Sequence, residues 1–274
     1  MNYCINYNPQ KGFKYLNEIN EITINYRRKD TSLLDFMLQH KEQRINIKIN
    51  DEQDFLDNNC IGIFEGIKLE YPELNFVLLF SDRNEELLNQ AKASKIKYFF
   101  TTLIKDWDSL YYIKNLKPTD IYIVEALGFE LDVISQILHK ENIKIRCFAN
   151  VAQSSSKATP ALKQFFIRPE DINFYEPYID CIEFFGQEGK DHTLEIYYKI
   201  YKYDKKWFGK LNEIIIGLNS DIDSRFILPK FAERRLGCGK RCLKGRPCQI
   251  CEAIEGLSAT LEKNNLMIAD FEKE

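Results

Sequence analysis

The sequence predicts an α/β protein built as a (β/α)8 TIM-like barrel with a small C-terminal Cys4 metal-binding appendage. Three observations carry that prediction. Short β-branched and aromatic runs alternate with stretches of helical spacing over about 180 residues, which calls for a parallel sheet with helices packed outside it. Nine candidate strands occur, and eight of them recur at spacings of roughly 17 to 30 residues, which favours a closed barrel over an open sheet. No GxGxxG or GxxxxGK[ST] follows any of these runs, so the usual mark of an open nucleotide-binding sheet is missing.

In chain order, the candidate strands are 3–8, 21–27, 44–50, 75–81, 98–104, 120–127, 144–151, 164–169 and 181–186. Nine candidates for eight places leave one of the first two free to cap or precede the barrel instead. Helical spacing appears at 31–41, 83–94, 106–116 and 131–141. Ser81-Asp82 and the stretch Thr102 to Asp106 offer N-caps, and Lys117-Pro118 stops a helix before the next strand. After Gly186 an aromatic amphipathic helix is followed by Glu213-Ile-Ile-Ile-Gly217. Composition changes at Arg225, so we divide the chain into a barrel, 1–224, and an appendage, 225–274.

The chain has 274 residues, 45% hydrophobic and 29% charged, with a net charge of −3. This balance excludes a disordered chain as a whole. There is no apolar run of membrane-span length, and the first residues lack a basic start with an apolar stretch, so the sequence leads us to expect a cytoplasmic protein with no membrane partner. Cys4, Cys60, Cys147 and Cys181 are scattered among apolar neighbours and read as small buried hydrophobes.

The other four cysteines form Cys238-x3-Cys242-x5-Cys248-x2-Cys251. Soft anionic thiolates at such close spacing point to zinc, with a [4Fe-4S] cluster as the alternative. Gly237, Gly239, Gly245 and Pro247 supply turns around the set. From Arg225 to Cys251 there are eight Lys or Arg against one Glu. This basic run suits the phosphates of RNA or another nucleic acid, or equally the solvated shell of a site carrying four thiolates.

In a barrel, function gathers at the carboxyl ends of the strands. Glu125 and Glu183 interrupt apolar runs there, and a buried carboxylate needs a partner, for which Arg168 is the expected one. With Asn150 nearby, these four residues are the candidate catalytic set. His40, His139 and His192 have no ligand-like spacing and are given no chemistry.

The block Phe166-Ile-Arg-Pro-Glu-Asp-Ile172, followed by Tyr175-Glu176, Ile179-Asp180 and Ile182-Glu183-Phe184, resembles the collagenase-like peptidase family U-32. The similarity covers about residues 120–251 and includes a terminal cysteine cluster. It implies a TIM-like barrel and an enzyme, or enzyme subunit, that modifies RNA or a small aromatic substrate. The family's barrel cysteines are absent: the matching stretch reads Asn150-Val-Ala-Gln-Ser-Ser-Ser-Lys157. Glu183 and Gln187 stand where the family tends to have lysine and arginine. The rival reading is a binding module for nucleic acid or protein, without catalysis, that uses a basic zinc knuckle.

Overall fold

The computed structural model describes residues 1–7, 12–27, 32–152, 164–186, 193–218, 222–227 and 231–236, with a few single positions beyond. The strands are β1 (Asn2–Asn6), β2 (Glu21–Asn25), β3 (Arg44–Lys48), β4 (Phe76–Phe80), β5 (Tyr98–Phe100), β6 (Leu103–Ile104), β7 (Asp120–Ile123), β8 (Lys144–Phe148) and β9 (Cys181–Phe184). All pair in parallel in one nine-stranded sheet of order β5-β4-β3-β2-β1-β9-β8-β7-β6. The helices between them are α1 (Leu33–Gln39), α2 (Glu52–Asp57), α3 (Cys60–Glu70), α4 (Glu85–Ala93), α5 (Trp107–Asn115) and α6 (Leu131–His139). Then come α7 (Ile172–Tyr175), α8 (Thr193–Lys199) and α9 (Phe231–Leu236).

The sheet curls. Its two end strands, β5 and β6, are consecutive in the chain and separated only by Thr101 and Thr102. The Thr119 N–H, just before β7, donates to the Tyr98 carbonyl at 2.8 Å, and the Val124 N–H donates to the Ile104 carbonyl at 3.0 Å. The kinked stretch from Tyr98 to Ile104 therefore bonds to β4 on one side and to the β7 segment on the other.

Both expected early strands lie in the sheet, so neither stands apart as a cap. Expected strand 98–104 is real but broken in two. The expected strand 164–169 does not join the sheet: Arg168 precedes a 3-10 turn, Pro169–Asp171, because proline fixes φ and withholds the N–H a ladder needs. The pattern also passed over α2 and α3.

Side chains alternate across the sheet. Ile5, Ile22, Ile45, Leu78, Ile121, Ile145 and Ile182 point outward into one core shared with the helices. Val77, Leu79, Phe99 and Tyr122 form a separate cluster on the inner face, with Phe148 packed against it. Both faces are buried, as an all-parallel sheet requires.

Local chemistry fixes the helix ends. Asp51, Asn84 and Asp106 each accept from the backbone N–H three residues on, at 2.8 to 3.0 Å, satisfying orphan donors of α2, α4 and α5. Asp106 caps as expected, whereas α4 is capped by Asn84 rather than Ser81 or Asp82. Lys95, Lys117 and Asn142 follow α4, α5 and α6 with φ of 58°, 56° and 59°, the left-handed turn that ends a helix. Among the described residues, no helix is long and apolar enough to cross a membrane.

The stretch after β8 forms a junction. The Tyr201 hydroxyl donates to the Ile167 carbonyl at 2.7 Å. The Trp207 N–H and the Ser224 hydroxyl both donate to Glu170 Oε1 at 2.9 Å. A Cβ on Gly128 would lie 2.4 Å from the Phe165 ring, so only glycine lets the two segments meet. Ile227, Phe231 and Ala232 are buried in the core shared with the sheet, so described residues on both sides of position 224 contribute to it.

Candidate functional site

The inner face carries more polar than apolar chemistry. Three strands begin with a buried, charged, inward residue, Glu21 on β2, Arg44 on β3 and Asp120 on β7, and Arg146 on β8 stands next to them. All four are buried, Arg146 completely. Arg146 Nη1 donates to Glu21 Oε2 at 2.6 Å and to Asp120 Oδ1 at 3.3 Å, while Nη2 lies 3.7 Å from Glu183 Oε2. Arg44 Nη1 donates to Asp120 Oδ1 at 3.0 Å, Nη2 pairs with Asp120 Oδ2, and Nε lies 3.7 Å from Glu21 Oε2. Three carboxyl groups thus surround two guanidiniums.

Rings support the cations. The Arg146 guanidinium sits 5.0 Å from the Phe99 ring centre and 5.7 Å from that of Tyr122, and Arg44 lies 5.4 Å from Phe99. The Tyr122 hydroxyl donates to Glu183 Oε2 at 2.5 Å. Burial, followed by the neighbouring Glu183 charge, pushes the Tyr122 phenol well above its ordinary value. For Glu21, burial alone would raise the carboxyl, but the charges of Arg146 and Arg44 and the hydrogen bonds of Arg146 and Asn2 hold it at about 2.

A softer group adjoins the ion pairs. Cys4, Glu21 and Cys181 bring Sγ and carboxylate oxygens within 4.8 Å of one another. Asn46 Nδ2 approaches Cys4 Sγ at 3.6 Å and Glu21 Oε2 at 3.4 Å. This set is a poor host for a cation. The Glu21 oxygen is already held by Arg146, two guanidiniums supply the positive charge, and burial pushes the Cys181 thiol well up, so it stays protonated. The four scattered cysteines are buried and free.

The expected pairing of Glu183 with Arg168 does not form. Glu183 is in the network, but its cationic neighbour is Arg146, not Arg168. Arg168 instead makes a two-pronged pair with Asp171, Nε to Oδ2 at 2.7 Å and Nη2 to Oδ1 at 2.8 Å, and packs 5.3 Å from the Phe231 ring. The Arg-Pro-Glu-Asp block here is a clasp joining distant segments. Glu125 lies beyond β7, in the 3-10 turn Glu125–Phe129, rather than inside a strand. Asn150 Nδ2 donates to the Phe185 carbonyl at 2.7 Å, and its Oδ1 accepts from the Phe185 N–H at 3.0 Å, so it pins the end of β9.

His139 Nε2 lies 2.8 Å from Asp180 Oδ2, and His40 Nδ1 lies 2.8 Å from Gln43 Oε1. Cys238, Cys242, Cys248 and Cys251, with Gln187 and His192, lie outside the described residues. What is described is the helix immediately before the cysteines. On α9, Arg235 is buried with its guanidinium 4.6 Å from the ring centre of Phe129, 4.7 Å from Phe166 and 4.8 Å from Phe231. Its Nη1 donates to the Phe166 carbonyl at 3.3 Å and Nη2 to that of Gln164. Phe129 belongs to the turn that follows β7, so α9 is fixed to the carboxyl-end side of the sheet.

Sequence reasoning overlooked Glu21, Arg44, Asp120 and Arg146. Arg146 was the legible one, since it breaks the apolar run Ile145 to Phe148 with a charge no strand interior tolerates unpaired. No protein-family model, curated protein or solved structure matches this chain.

Proposed function

We propose that the sheet closes on itself at residues 98–104 into a (β/α)8 barrel, and that the chain is a metal-binding barrel protein organised like the U-32 proteins. In this reading it acts as an enzyme or enzyme subunit on RNA or a small aromatic substrate. The observation that carries it is the Arg235 anchor. It fixes α9 beside the turn after β7, and the first cysteine of the cluster, Cys238, comes two residues after α9 ends. Carboxyl-end loops are where barrels of this kind work.

Four thiols suit zinc and a [4Fe-4S] cluster alike by donor chemistry. Cys238, Cys242, Cys248 and Cys251 would hold the group; zinc would brace the segment, and a cluster would supply one-electron chemistry. The rest falls to the chain's own residues. Arg146, Glu21 and Asp120 rigidify the barrel's amino end, and Asn150 fixes the strand end at Phe185.

Metal analysis with an ultraviolet–visible spectrum, on protein purified without oxygen, tests the proposal. Stoichiometric metal that is lost in the double variant Cys242→Ser/Cys248→Ser supports it, and metal-free wild type overturns it. RNA binding that falls steeply with salt and disappears in Lys240→Glu/Arg241→Glu would favour the non-catalytic binding module instead.

A further inference from the structure

The edge of a guanidinium formed by Nε and Nη2 presents two N–H groups side by side, a fork that grips an oxygen or a carboxylate. Two other arginines of this chain use that edge on a carboxylate. Arg168 sets Nε and Nη2 on Asp171 at 2.7 and 2.8 Å, and Arg225 sets the same pair on Asp223 at 2.9 and 2.6 Å.

Arg146 is different. It is completely buried, and its hydrogen bonds to Glu21 and Asp120 both come from Nη1. Its Nε and Nη2 make no hydrogen bond among the described residues. Glu183 Oε2 faces Nη2 at 3.7 Å, which is too far for a direct bond. The rings of Phe99 and Tyr122 pack against the guanidinium, and the thiols of Cys4 and Cys181 beside Glu21 are weak acceptors. Two more buried atoms of the same network make no hydrogen bond: Arg44 Nε, 3.7 Å from Glu21 Oε2, and Asn46 Oδ1. Buried polar groups of native proteins are bonded, to ordered water where no protein atom reaches them.

We propose that the Nε/Nη2 edge of Arg146 holds a buried water molecule, which accepts from both N–H groups and donates to Glu183 Oε2. The 3.7 Å gap between Nη2 and that oxygen is one that a water lying beside it spans with two bonds of ordinary length. Charge selects water over an ion. Three carboxyl groups already outnumber the two guanidiniums, so an anion gains no net attraction, and a cation cannot accept from an N–H. Water is neutral, and it both donates and accepts. Arg44 Nε and Asn46 Oδ1 add a donor and an acceptor to the same polar interior. The water ties Glu183, already held by the Tyr122 hydroxyl, to the ion pairs at the amino end of the sheet. The proposal stands on these contacts alone and does not depend on the metal centre or on catalysis.

A crystal structure of the full chain, at a resolution that orders solvent, tests it. Density that refines as water within hydrogen-bond reach of Arg146 Nε, Arg146 Nη2 and Glu183 Oε2 is the expected result. Nη2 closed directly onto Glu183, with no density along the edge, overturns the proposal. So does an anomalous peak on Arg146 after bromide soaking, which identifies an anion site instead. In solution, the Arg146 Nε–H resonance, assigned by its loss in Arg146→Lys, should show a nuclear Overhauser contact to water with the sign of a long-lived bound molecule. A resolved Nε–H resonance without that contact overturns the proposal as well. The crystal and the resonance are both read on wild type, so a variant that fails to fold leaves the crystal test intact.

Discussion

Arg146 and Glu21 are 125 residues apart in the chain and meet at 2.6 Å inside the sheet, where bulk solvent reaches neither. Their contact turns the inner face into a lock. A charge taken from water must be matched by another in good geometry, and only one arrangement of β2, β3, β7 and β8 brings all the partners together. The known cost of leaving one such partner alone makes the lock testable.

Replacing Arg146 with methionine strands Glu21 and Asp120 without their shared cation. The expected loss is about 3 to 5 kcal/mol of stability, read from urea unfolding curves. Adding Glu21→Gln to that variant should restore part of the loss, because one buried charge is then gone. Additive losses would mean that the two side chains do not interact.

Acid stability follows from Glu21. Its carboxyl is held at about 2 in the folded protein against an ordinary 4.5. A lowered folded value contributes stability that is fully present above the unfolded value and is lost as pH falls towards the folded one. The window is from about pH 4.5 down to about pH 2, and the contribution at neutral pH is about 3 kcal/mol. Unfolding curves across that range should show a slope that flattens in Glu21→Gln.

Asn150 holds both the N–H and the carbonyl of Phe185. Asn150→Ala should cost about 1 to 3 kcal/mol and speed hydrogen exchange at the Phe185 amide. Exchange unchanged at Phe185 would show that β9 ends in place without it.

Arg235 closes three rings and two carbonyls over one guanidinium. Arg235→Lys keeps the charge but loses the planar stack, so α9 should detach and the chain should be cut near residues 231–236 by limited proteolysis. A cleavage pattern identical to wild type would refute the anchor.

The alternation of strand and helix was plain in the sequence because outward positions such as Ile22, Ile45 and Ile145 repeat with the period of a sheet. The inward positions were hidden for a physical reason. Glu21, Arg44 and Asp120 are first residues of their strands, where polar residues are ordinary, and only their distant partners make them interior groups. Glu183 was legible as a buried carboxylate, but its neighbour was not: Arg168 lies closer in sequence, and a two-pronged pair with Asp171, three residues on, claims it first. Asn150 was found by its place at a strand end, and its role as a backbone clamp appears only once Phe185 stands beside it.

The pairing of β1 with β9 bears on how the protein leaves the ribosome. Cys4 has Glu183 as its neighbour, so β1, made before the other strands of this sheet, must wait for β9, made after them. At translation speeds of about 5 to 20 residues per second, that wait is on the order of ten seconds or more. During it the edge of β1 lacks its β9 partner, and Glu21 remains in water without Arg146 for most of the interval. A half-made sheet gains little from burying such charges early, so the two halves are poorly suited to fold as separate units. The seam between β1 and β9 thus makes completion a single late event, and it makes the emerging chain a natural client for chaperones that shield apolar strands.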